Sequence, residues 1–149
     1  MKSAPAPSEY ITLFKGGFIN MLRWEQLDAL WNTLNSQVNK NWYIYAVGEE
    51  PPVEPSNHEQ LQQFTTEMDK LLHAEHQESY CGIVYADNPN DPEFIKIYDP
   101  NNLGHVCGSC PDAPPTLPGW VLSLTQPVNL HQASPPPGNR RRWWSKLFK

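Results

Sequence analysis

The sequence predicts an α+β domain: a small antiparallel sheet of three to five strands with two amphipathic helices packed on one of its faces. Three features carry that expectation. Apolar residues recur at helical spacing in two separate stretches, Leu27 to Val38 and Leu61 to Leu72. Four short runs rich in aromatic and β-branched residues, near Trp42, Tyr80, Phe94 and Trp120, have the composition of strands. Between the second and third of these runs lies ADNPNDPE, whose Asx and Pro side chains favour the turns that close a hairpin.

Chain length and composition set the frame. The 149 residues suit a single domain, and a hydrophobic content of 39% with six Trp, six Tyr and five Phe is enough to build a core without disulfide staples. Sixteen prolines require that much of the rest be irregular. The expected organisation is a disordered leader over 1–9, one compact domain over 10–130, a Pro-rich linker over 131–138 and a basic aromatic amphipathic tail over 139–149.

In chain order, Tyr10 to Phe14 is a short β-branched and aromatic run, readable as an edge strand or an anchored lead-in, and Lys15-Gly16-Gly17 ends it. The first helix is expected to start from Asn20 as N-cap, with Leu27, Leu30, Trp31, Leu34 and Val38 on one stripe. Trp42 to Val47 reads as a strand closed by Gly48 and a loop bearing Glu49, Glu50 and Glu54, a solvated acidic cluster. Ser56-Asn57-His58-Glu59 has the spacing of a capping box for the second helix, which carries Leu61, Phe64, Met68, Leu71 and Leu72 to about His73.

His73 and His76 share a helix face, but neither an E-x-x-H pair on two helices nor H-E-x-x-H is present, so they read as a polar helix terminus. Tyr80 to Tyr85 and Phe94 to Tyr98 then form the expected hairpin. Alternation puts Phe94, Lys96 and Tyr98 on one face, which the lysine marks as partly exposed. Asp99 to Gly104 is a turn, and Asp99 has no carboxylate or base placed beside it by spacing for acid catalysis. Gly119 to Leu124 supplies a final strand.

Two stretches bear on chemistry. Cys107-Gly108-Ser109-Cys110 resembles, over these four residues, the dithiol of thioredoxin-like redox proteins. Pro111, Pro114 and Pro115 deny it the following helix whose dipole would activate the first thiol. Alternatively His105, Cys107 and Cys110, with Cys81 as a fourth ligand, offer the donors of a tetrahedral zinc site, although a single C-x-x-C also occurs in loops with no such role. Three cysteines behind an N-terminus with no apolar run of about seven residues or more fit reduced thiols in the cytoplasm.

The other stretch is the tail. Residues 1–138 carry six Lys or Arg against all sixteen acids, a net of −10, whereas 139–149 carry five Lys or Arg and no acid. On a helix Trp143, Trp144, Leu147 and Phe148 fall on one side and Arg142, Ser145, Lys146 and Lys149 on the other, with Arg140 and Arg141 just before. Such a segment suits an anionic membrane surface, attached peripherally, or an acidic groove on a partner protein. It also suits folding back on the chain's own acidic body, and base stacking is available to it, although that body opposes a polyanion. The expected function is a non-enzymatic accessory or adaptor domain recruited through this tail. The alternative is a thiol-redox or metal-binding protein using the His105/Cys107/Cys110 loop.

Overall fold

A computed structural model of the chain describes residues 7–100, 117–130 and 143–144. Its elements are α1 (Pro7–Phe14), β1 (Ile19–Asn20), α2 (Trp24–Ser36), β2 (Tyr43–Ala46), α3 (His58–Glu75), β3 (Val84–Ala86), β4 (Phe94–Ile97) and β5 (Trp120–Ser123). The strands make one sheet in the order β1-β3-β4-β5-β2, antiparallel at every pairing. The α+β class and the small antiparallel sheet are as the sequence predicts.

Registers across the sheet explain how the alternation is used. One row runs Ala86, Ile95, Leu122, Ile44, and its neighbour runs Val84, Ile97, Trp120, Ala46. All eight are buried in the larger core with Leu27, Leu30, Trp31 and Leu34 of α2 and Leu61, Phe64, Met68, Leu71 and Leu72 of α3. The intervening row, Tyr85, Lys96, Val121, Tyr45, faces the other way. There Tyr45, Val121 and Phe94 form a second, smaller core with Tyr10 of α1, Val47 and Leu130.

That second core corrects two expectations. Tyr10 to Phe14 belongs to a helix, which begins at Pro7 and so takes in residues 7–9 of the stretch expected as a leader. Its Tyr10 and Phe14 rings lie 5.1 and 6.3 Å from Phe94, with Phe18 a further 5.8 Å neighbour. The face carrying Phe94 and Lys96 is therefore covered over Phe94 and left partly exposed at Lys96 and Tyr98, as the lysine marks it. Lys96 is accommodated because its stem lies along the covered face while its amine rests 4.3 Å from the Phe14 ring centre and 4.2 Å from that of Phe18. Burial pulls the pKa of this amine down.

Helix boundaries also move for local reasons. Asn20 is spent in β1, and the next residue's N–H bonds to Val84, so α2 starts later, where Gln26 Oε1 accepts from the Arg23 N–H at 2.9 Å. Val38 lies beyond the end of α2 and is exposed. The capping box of α3 sits one residue after its expected place: Asn57 Oδ1 accepts from Gln60 N–H at 2.7 Å and Gln60 Oε1 from Asn57 N–H at 2.9 Å. Ser56 is unavailable because its N–H and its hydroxyl both donate to the Trp42 carbonyl, tying the loop to the start of β2.

The hairpin keeps its place but starts late. Gly82 has φ +74°, a left-handed conformation that a side chain would strain, so Tyr80 to Ile83 does not extend the strand. The hairpin loop is organised by Asp87, whose Oδ1 accepts from the N–H groups of Asn88, Glu93 and Phe94 at 2.8, 3.0 and 3.2 Å. Residues 1–6, the turn beyond Pro100, and the linker over 131–138 lie outside the described residues.

Two outcomes are expected. Asp87→Ala should lower stability by about 1–3 kcal/mol, read from the urea midpoint, since three backbone donors lose one acceptor. Tyr10, fully buried, has its pKa raised far above the ordinary value of about 10 by burial. Below that ordinary value the ring is neutral both folded and unfolded. As pH rises past it only the unfolded chain ionises, so stability is lost with rising pH. Its hydroxyl has no acceptor among the described residues. Tyr10→Phe should therefore be neutral or stabilising by up to about 1 kcal/mol at pH 7, and its melting temperature should fall less than the wild type's above about pH 10.

Candidate docking site at the C-terminal indole pair

α3 turns Phe64 inward because it lies on the stripe shared with Leu61, Met68 and Leu72, and β5 turns Trp120 to the same side as Ala46 and Ile97. Both rings are almost fully buried, Phe64 at 0% and Trp120 at 4% exposed. Against them sit Trp143 and Trp144, on a helical backbone and half-buried. Ring centres are 5.6 Å apart for Trp120 and Trp143, 6.5 Å for Phe64 and Trp143, and 6.3 Å for Phe64 and Trp144, all edge-on. Edge-on pairs of this kind contribute about 0.5–1.5 kcal/mol each beyond area burial.

Of the arrangements open to the tail, these two residues adopt the fold-back on the chain's own body. Arg140, Arg141, Arg142, Lys146, Leu147 and Phe148 lie outside the described residues. Phe64 and Trp120 were legible as core residues from periodicity. Nothing in the sequence marks them as the seat of residues about 80 and 20 positions away, because ring-on-ring packing leaves no spacing signature.

His105, Cys107 and Cys110 also lie outside the described residues. Cys81 is described: it is fully buried in the larger core, with its thiol pKa pushed up by burial. Both facts work against a thiolate there. His76, also buried, places Nε2 2.8 Å from the Cys81 carbonyl oxygen, so the imidazole engages backbone and not sulfur. Among the described residues no group of three or more His, Cys, Asp or Glu is gathered for a metal ion.

His73 and His76 do form part of a cluster that spacing alone did not indicate. The His73 ring stacks on Trp24 at 4.0 Å, and Trp24 Nε1 donates to the Glu78 carbonyl at 3.0 Å. Asp69 Oδ1 accepts from Trp31 Nε1 at 3.1 Å and lies 3.6 Å from His73 Nε2. These contacts clasp the start of α2 to the end of α3. A shallow depression of about 430 Å³ between the same helices is lined by Asn35, Glu59, Gln62, Gln63, Thr66 and Glu67. It holds neither a nucleophile–base pair nor an apolar floor, so its chemistry is that of a solvated surface. Glu50 and Glu54 of the acidic loop are likewise exposed.

Because the indole pair caps buried rings, its loss should register in the stability of the body. Replacing Trp143 and Trp144 together by Ala should lower the unfolding free energy by about 1–3 kcal/mol in chemical denaturation, more than a surface change would.

Among the described residues, no helix is long and apolar enough to cross a membrane. Comparison with protein-family models, with curated proteins and with solved structures finds no match for this chain.

Proposed function

We propose that the chain is a non-enzymatic accessory or adaptor domain carried to an anionic membrane surface by its basic aromatic segment, residues 139–149. The observation that carries this reading is charge segregation: all sixteen acids lie in 1–138, and 139–149 hold five cations and no acid around Trp143, Trp144, Leu147 and Phe148. Cations near an anionic bilayer contribute about 1 kcal/mol each, and indole rings favour the headgroup region. The acidic body is repelled by the same surface, so it stays in solution while the segment attaches.

A membrane is favoured over a partner protein because the segment supplies its apolar and cationic groups with no acidic side chain and only Asn139 and Ser145 as uncharged polar ones, which suits a surface of uniform charge better than a patterned groove. Sedimentation with phosphatidylserine-containing vesicles tests this. The full chain should bind them and not phosphatidylcholine alone, and Arg140→Gln/Arg141→Gln/Arg142→Gln should weaken binding by about two orders of magnitude. Added salt should weaken it too. Equal binding to both vesicle types, or to neither while a protein partner is retained through the segment, would remove the membrane reading. Stoichiometric zinc in the purified chain would move the reading to His105, Cys107 and Cys110.

A further inference from the structure

We infer that Trp143 and Trp144 form a latch: their seat on Phe64 and Trp120 withholds them from the membrane, and attachment requires them to leave it. The inference rests on the recruitment reading and adds its regulation. Two features of the structure support it.

The first is exclusivity. The ring edges that meet Phe64 and Trp120 at 5.6 to 6.5 Å are part of the surface an indole must bring to the headgroup region. The same rings cannot lie within the body's core and in a bilayer at once. The second is balance. Both indoles are only half-buried, so the seat is shallow, and edge-on ring pairs are among the contacts that hold them. A seat of that strength reduces the membrane-competent population without abolishing it, because apparent affinity is scaled by the fraction unlatched.

Opening the seat also has a consequence on the body. Phe64 and Trp120 are nearly inaccessible with the indoles in place, and departure of Trp143 and Trp144 uncovers the parts of both rings that the indoles meet. Membrane attachment and exposure of this aromatic spot are then one event. The tail is both the anchor and the cover.

The test uses the full chain. Phe64→Leu keeps an apolar side chain in the core but removes the ring that both indoles meet, so it should bind phosphatidylserine vesicles about threefold to tenfold more tightly than the wild type. Hydrogen exchange of the unmodified chain gives an independent readout, needed if Phe64→Leu does not fold. On addition of the vesicles, amides around Phe64 and Trp120 should exchange faster, while those of β1 and β3, which do not pair with β5, should not change. Wild-type binding with no gain in Phe64→Leu, or with unchanged protection around Phe64 and Trp120, overturns the latch and leaves recruitment standing. Failure of the wild type and of Phe64→Leu alike to bind overturns recruitment, and the latch with it.

Discussion

The sheet must bury both of its faces, and everything else in the described fold follows from how β4 and β5 meet that demand. Ile95 and Ile97 point to one side, Phe94 and Lys96 to the other, and the adjacent strand repeats the division with Trp120 and Leu122 against Val121. One side is wide enough for two helices. The other is narrow, closed by the eight residues of α1 and by the segment ending at Leu130, whose N–H donates to the Tyr45 hydroxyl at 3.3 Å. A three-layer arrangement results from strands only three or four residues long in β2 to β5, which is economical for a chain of this size.

This division decides which polar groups are tolerated inside. Lys96 stands in a row otherwise formed by Tyr85, Val121 and Tyr45, and it is acceptable there because the aromatic rings of Phe14 and Phe18 present their negative faces to its amine. Between α2 and α3, Asn35 Nδ2 donates to the Thr65 hydroxyl at 3.1 Å and to the Trp31 carbonyl at 3.0 Å. The indole pair at the C-terminus belongs to this economy. It packs against the larger core at two of its rings, Phe64 and Trp120.

Much of the fold was legible because it depends on periodicity. Leu27, Leu30, Trp31 and Leu34 are buried in α2, as are Leu61, Phe64, Met68, Leu71 and Leu72 in α3, and all four expected strand regions join the sheet. What escaped was set by partners distant in sequence. The run at Tyr10 has the composition of a strand, yet its neighbours Phe94 and Val121 offer a sheet face and not an edge, and a helix covers a face. Ser56 has the right spacing for a cap but is claimed by the carbonyl of Trp42, fourteen residues away. β1, two residues long, carries no periodic signal at all. Of the candidate site, composition revealed the basic aromatic character of the tail, but its seat is a tertiary contact that no local pattern encodes.

The position of β5 carries a consequence for how the protein is made. Its four residues are inserted between β4 and β2, so β2, at residues 43–46, has no strand partner until residues 120–123 have been synthesised. A nascent chain therefore holds β2 unpaired from its synthesis onward and, once β4 at 94–97 has been made, a second open edge there, until β5 emerges. Both edges are apolar on the helix side. The polypeptide is most prone to aggregation while it lacks its last strand, and a ribosome that stalls or a message that ends before Trp120 releases a chain with a sheet open down the middle.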